Sequence, residues 1–230
     1  MNVSISESVA LVEIFQQATP ESVKALSACG TVRRLSKGEH VFIDKEPVEK
    51  LYLVISGLVT LYTVDPQGEK KVIFILDKGK LINEVVLQRI PASINCEVFE
   101  EAEILSFDRM DFLRIMEQDF VLTKSVLDSL AMKVRRLYRQ MKNTPNSVRG
   151  DKRIAAKLWK LSRDYGVPSV GGTRIKIDLS ITYLADMLGS RRETVSRQLK
   201  ILAGQGLIQV DNGQITIPDR DKLSEYFKLP

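Results

Sequence analysis

Cysteine is scarce in this chain: Cys29 and Cys96 are the only two in 230 residues, with a single histidine, His40. Two thiols so far apart make no disulfide framework. They are expected to be reduced and packed in or near a core, as free cysteine usually is; a redox pair or a modified thiol is the other reading. No apolar run approaches the roughly 18 residues of a membrane span. The first 19 residues carry Glu7 and Glu13 and lack a basic leader region, unlike a signal peptide. The chain is therefore expected in the cytoplasm, with no membrane partner. Gly-rich phosphate loops are missing too, and no local motif suggests a catalytic cluster, so an enzyme is not expected.

What is present is unevenly placed. The net charge is +5, and residues 151–230 hold 14 Lys and Arg against 9 Asp and Glu, so the whole excess lies in the last third. A basic module attached to a neutral one suits a polyanionic partner, nucleic acid being the commonest. From about Leu35 to Phe107 short apolar runs alternate with turn signals. Leu51–Ile55 ends at Ser56-Gly57, and Leu58–Val64 ends at Asp65-Pro66-Gln67-Gly68, a good hairpin connection. Lys71–Leu76 reads as the returning strand, with Val98-Phe99 and Ile104–Phe107 as further short strands. Such spacing favours a jelly roll, sandwich or barrel.

The period then becomes helical. Asp108 can cap a short helix holding Phe112, Leu113 and Ile115. A longer helix from about Phe120 to Asn143 carries Phe120, Thr123, Leu127, Leu130, Val134, Leu137 and Met141 at alternating steps of three and four, a heptad seam. Lys133, Arg135, Arg136, Arg139 and Lys142 fall outside the seam, which favours a self-pairing helix and a homodimer over a helix packed on its own domain. Thr144-Pro145 breaks the pattern and marks a hinge. Asp151–Tyr165 is again helical, with Ile154, Leu158 and Leu161 on one face. Gly166–Thr173 reads as a loop and Arg174–Leu179 as a strand.

The most informative segment begins at Ser180, which can cap a helix with Ile181, Leu184, Met187 and Leu188 on its apolar face. Gly189 supplies a tight turn. Ser190 and Glu193 have the spacing of a capping box, and Val195, Leu199 and Leu202 give the following helix an inner face. Gly204-Gln205-Gly206 ends it, and a hairpin follows around Asp211-Asn212-Gly213. This is a helix-turn-helix with a wing, whose second helix would enter the major groove of double-stranded DNA. Arg192 and Arg197 suit guanine O6/N7, Glu193 can accept from cytosine N4, and Ser196 is permissive, so these four are the expected base readers. Thr182, Arg191, Thr194 and Lys200 are placed for phosphates, which set register without reading sequence. Glu193 is both a cap and a base reader on this pattern, and a winged unit that binds protein is the competing use.

Lys37-Gly38-Glu39, the run from Leu51 to Ile73 and the run RRETVSRQLKILAGQGLI from Arg191 to Ile208 resemble the Crp/Fnr family of transcription regulators over nearly the whole chain. The resemblance implies an α+β fold: a β jelly-roll sensor over residues 1–119, a dimerisation helix over 120–143, a hinge over 144–150 and a winged helix-turn-helix over 151–230. It further implies a dimer on a palindrome with a TGA-type half-site core, and contact with RNA polymerase. Family members that bind cyclic AMP carry a Gly-Glu pair and an Arg-Ser pair, and these align here with Asn83-Glu84 and Ala92-Ser93. Glu84 is kept but the phosphate-binding cation is missing, a loss of roughly 1.5–3 kcal/mol in charge-assisted bonding, unless Arg89 supplies the charge. Asn83, Glu84, Ser93 and Gln140 are the expected effector-pocket residues, with Glu84 alternatively a structural turn carboxylate. The family's iron–sulfur cluster needs four thiolates, which this chain lacks, and haem is not expected with His40 in a strand. What is left is an unidentified small-molecule effector, a thiol signal or none.

Overall fold

The computed structural model describes residues 5–142 and 150–228. Its mixed helix and sheet fold divides into two compact units, one built on residues up to Val64 together with Val72–Gln140, the other on Asp65–Lys71 and the residues from Met141 onward. The expected hinge at Thr144-Pro145 lies outside the described residues.

The first unit opens with elements that periodicity did not reveal: α1 (Ile5–Leu11), a 3-10 turn (Glu13–Phe15) and α2 (Pro20–Cys29). The signal for α2 is local. Thr19 caps it by accepting from Ser22 N, and Pro20 sits in the first turn, where a missing N–H is harmless. Five strands follow: β1 (Thr31–Leu35), β2 (His40–Phe42), β3 (Lys50–Val64), β4 (Lys70–Leu76) and β5 (Asn95–Asp108). They pair in the order β1-β5-β3-β4, with β2 also on β5.

Two sequence expectations need correcting. Ser56-Gly57 does not end a strand, and Val98-Phe99 and Ile104–Phe107 are not separate: β3 and β5 each run through, antiparallel, with the register slipping between Val54 and Val59. Gly57 makes this possible. Its φ is +78°, and a Cβ there would lie 2.0 Å from Glu101 O and 2.7 Å from Ala102 Cα. The two long strands are thus bent at an irregularity rather than cut by a turn.

Leu51, Leu53, Val59, Val98, Leu105 and Phe107 are fully buried between the strands. Phe107 meets Phe15 edge-on with ring centroids 5.8 Å apart and Phe112 at 5.5 Å, joining the N-terminal turn, β5 and α3 (Arg109–Gln118). Each ring contributes roughly 1.5–3 kcal/mol by burial. Asp108 caps α3 as expected, accepting from Met110 N and Asp111 N. Asp119 then stands before α4 (Phe120–Lys142), accepting from Leu122 N at 3.0 Å and from Thr19 N at 2.8 Å. Burial alone would raise its carboxyl, but these hydrogen bonds outweigh it and pull the pKa down to about 2.

The register of α4 differs from a simple seam. Leu122 and Val126 are buried in the hydrophobic core of the first unit. Phe120, Leu127, Val134, Tyr138 and Met141 are exposed, at 76%, 54%, 41%, 68% and 76%. Leu130 and Leu137 are drawn toward a cavity in the first unit. Lys133, which the heptad pattern set on an outer face, is mostly buried. The α4 helix therefore packs on its own domain along one face and keeps an apolar stripe on the other.

In the second unit, α5 (Gly150–Tyr165) buries Ile154, Leu158 and Leu161 as expected. The expected loop from Gly166 is instead a hairpin of β6 (Gly166–Ser169) and β7 (Gly172–Ile175), and the expected strand beyond Ile175 is absent. Gly171 and Gly172 take positive φ, which permits the reversal. The elements α6 (Ile181–Leu188), α7 (Arg192–Gly204), β8 (Gln209–Asp211), β9 (Gln214–Ile217) and α8 (Arg220–Lys228) follow, and the sheet order is β6-β7-β9-β8. Asn212 and Gly213 both have positive φ, as a two-residue type I′ hairpin turn requires. The terminal α8 is locked to α5 by the Tyr226 hydroxyl donating to Asp151 and by Phe227 edge-on to Trp159.

Gly57 gives a direct check. Gly57→Ala is expected to lose more than the roughly 1–2 kcal/mol of a left-handed alanine, because its Cβ also meets backbone. Gly68→Ala, equally left-handed but with open space around it, should lose only that amount. Urea unfolding of both variants measures the difference.

Candidate nucleic-acid interface and effector pocket

The α6–turn–α7 unit is held by short-range chemistry. Ser180 caps α6, accepting from Tyr183 N at 3.0 Å, and Gly189 closes it in the left-handed region with φ +56°. The Arg153 guanidinium on α5 donates to Leu188 O at 2.7 Å, satisfying a carbonyl at the end of α6. Sequence reading missed this positioning role, since nothing in the periodicity of α5 singles out Arg153.

The capping box does not form. The residue before α7 is Arg191, with no side-chain cap bond, and the helix starts at Arg192. Ser190 instead belongs to the turn, its N–H donating to Ala185 O at 3.1 Å. Glu193 is thereby released from capping. Val195, Leu199 and Leu202 are buried, so the helical period turns Arg192, Glu193, Ser196, Arg197 and Lys200 outward. These five residues, with Ile181, line one shallow depression of about 410 Å³. The structure thus brings the four expected base readers together, and Lys200 with them. Thr182 and Arg191 are exposed outside that group, and Thr194 is half-buried on the flank of α7. None of Arg191, Arg192, Arg197 and Lys200 is in a salt bridge among the described residues, so their charges are uncommitted. The amino end of α7 adds its own positive field.

In the first unit a cavity of about 280 Å³ opens between the sheet, the 3-10 turn Glu84–Gln88 and α4. Phe42, Leu61 and Phe74 line it from the strands, and Leu130, Val134 and Leu137 from the helix. Of the expected pocket residues, Asn83, Glu84 and Ser93 reach it. Gln140 does not line it: its amide donates to Ile73 O at 3.0 Å. Asn83 is taken up by β3, its amide donating to Lys50 O and its carbonyl oxygen accepting from Tyr52 N.

Glu84 is 2% exposed and meets two side chains of α4. One carboxylate oxygen accepts from Ser129 Oγ at 2.6 Å, and the other is ion-paired with Lys133. Lys133 also donates to Leu81 O at 2.9 Å and Ile82 O at 3.1 Å. Burial pushes the Lys133 ammonium below its ordinary value, and Glu84 opposes that. Neither Ser129 nor Lys133 was foreseen, because both sit inside a heptad pattern that pointed elsewhere. Arg89 turns away from the cavity, its guanidinium at 3.2 Å from Met110 Sδ. His40 is exposed and hydrogen-bonded to the Tyr62 hydroxyl at 2.7 Å. Burial raises both thiols, Cys96 most, with its side chain wholly enclosed.

Comparison with known proteins bears on both sites. Residues 152–226 match the family model of the Crp-like helix-turn-helix domain, and residues 32–119 that of the cyclic nucleotide-binding domain. The chain is 28% identical over 224 residues to the CRP-like cAMP-activated global transcriptional regulator of Mycobacterium tuberculosis, covering 96% of this chain and 98% of that protein. It is 24% identical over 230 residues to the global nitrogen regulator of a Synechocystis strain, covering 99% and 100%. Among solved structures, a CooA mutant from Carboxydothermus hydrogenoformans superposes with a TM-score of 0.76 at 20% identity, over 99% of this chain and 97% of that one.

The buried ion pair can be tested by removing one partner or both. Lys133→Met leaves Glu84 enclosed without its cation and is expected to lose about 3–5 kcal/mol. Glu84→Leu combined with Lys133→Met should recover most of that. A double-mutant cycle by urea denaturation measures the coupling; additive losses would mean the two side chains do not stabilise each other.

Proposed function

Since the chain belongs to the Crp/Fnr family and is a DNA-binding transcription regulator of that type, we propose that it acts as a homodimer on a palindromic operator whose half-sites carry a TGA-type core, gated by a small molecule other than cyclic AMP. The observation that carries the DNA reading is the gathering of Arg192, Glu193, Ser196, Arg197 and Lys200 on one outward face of α7. Arg192 and Arg197 read guanine, Glu193 accepts from cytosine, and Ser196 tolerates its neighbour. Lys200, with Thr182, Arg191 and Thr194, holds phosphates. The exposed stripe of Phe120, Leu127, Val134, Tyr138 and Met141 supports self-pairing through α4. Such a dimer sets two α7 helices roughly 34–36 Å apart, one turn of the duplex. Contact with RNA polymerase follows from the regulatory role.

The effector reading rests on the cavity. The Mycobacterium tuberculosis relative is named cAMP-activated, but this chain has Ala92 where the family's cyclic AMP binders carry an arginine. Lys133 is already spent on Glu84 and two carbonyls. An effector would shift the population of DNA-competent conformers.

Two experiments test these roles. Random duplex DNA is selected by the purified protein with and without cyclic AMP at one stated salt concentration; a TGA-type palindrome recovered equally in both arms is expected, and recovery only with cyclic AMP would overturn the effector reading. On the selected site, Arg197→Ala should cost about 1–3 kcal/mol and relax one base position, whereas Lys200→Ala should weaken all sequences alike and lower the salt slope. For the dimer, Leu127→Glu is expected to give a monomer in sedimentation and to weaken operator binding; an unchanged dimer would show that the stripe is not the interface.

A further inference from the structure

We infer that the first-unit cavity takes an uncharged, largely apolar molecule of single-ring or short-chain size, because its one ion pair is closed upon itself; this rests on the reading of that cavity as the effector site.

An ammonium has three donors and no acceptor. Those of Lys133 go to Leu81 O, Ile82 O and Glu84. The second oxygen of Glu84 is met by Ser129. Lys133 and Glu84 are the only charged residues that line the cavity, among the described residues, and together they are neutral. An anion entering would have to break that pair or remain uncompensated in an apolar enclosure, and an entering cation would face the same choice with Glu84. Either is unfavourable. The amide of Asn83 is spent on the backbone of β3. Ser93, exposed at the rim, is the polar group left for a ligand's single hydroxyl, N–H or carbonyl. All other lining side chains are aliphatic or phenyl. A volume of about 280 Å³ falls just below the range of roughly 300–1,000 Å³ that takes drug-sized ligands, which limits the occupant to a small body. Leu130, Val134 and Leu137 place α4 against that body directly.

The test uses matched pairs that share an apolar body and differ in charge: indole with indole-3-acetate, and octan-1-ol with octanoate, alongside cyclic AMP. Binding to the full chain is measured by calorimetry, without DNA. The neutral member of at least one pair is expected to bind roughly tenfold or more tightly than its acid. In Glu84→Gln, which frees Lys133 from its counter-ion, octanoate should gain roughly tenfold over its affinity for the unaltered protein. Acids or cyclic AMP binding as well as the neutral probes, or no neutral probe binding by about 1 mM, would overturn the inference. If Glu84→Gln does not fold, the comparison on the unaltered protein decides alone. A neutral probe that binds without altering affinity for the selected operator would leave the cavity chemistry standing and overturn the gating reading instead.

Discussion

A lysine ammonium survives inside the first unit because a carboxylate and two backbone carbonyls meet it there. Without Glu84, Leu81 O and Ile82 O, the buried charge of Lys133 would cost several kcal/mol. With them, α4 is pinned in rotation about its own axis. Ser129 adds a second tie one turn earlier, and Leu122 and Val126 complete the inward face. Everything else on the helix follows from the 3.6-residue period: once these four face the interior of the first unit, Phe120, Leu127, Tyr138 and Met141 must face away.

That rotation gives α4 two tasks. Its inner side closes an apolar cavity and its outer side carries the stripe proposed to pair with a second copy. Val134 belongs to both, lining the cavity yet 41% exposed. Close-packed interiors transmit small displacements instead of absorbing them. A molecule filling the cavity would therefore press on the same helix that carries the exposed apolar stripe, which is the physical route the proposed gating would take. At the other end of the chain, α7 is set by a different economy. Its inner face is fixed by Val195, Leu199 and Leu202, and its charges are left unpaired for a partner.

Much of this was legible in the residues. The helix-turn-helix could be read because its signals are local: Ser180 as a cap, Gly189 as a left-handed turn, the apolar period of α7 and the Asn212-Gly213 hairpin each act within a few residues. The same holds for Asp108 at α3. Gly57 was correctly seen as a special backbone position but assigned the wrong consequence. A glycine with positive φ serves a turn or a bulge equally well, and the choice depends on Glu101 and Ala102, far away in sequence. The capping box failed for a related reason. Ser190 was claimed by the turn after α6, where its N–H donates to Ala185 O, so the helix began one residue later with Glu193 free.

The sequence by itself determined the fold class, the basic C-terminal module, the helix-turn-helix with its wing and the outward residues of α7, because periodicity, caps and charge count are properties of short segments. Tertiary structure alone decided which face of α4 is buried, that Lys133 and Ser129 complete Glu84, that Gln140 turns to Ile73, and that the cavity is electrically closed. A heptad pattern cannot distinguish a helix face that meets a sheet from one that meets another helix, since both are apolar. Only the fold brings a carboxylate at position 84 against an ammonium at position 133, and with that contact sets both the charge of the cavity and the direction of the exposed apolar stripe.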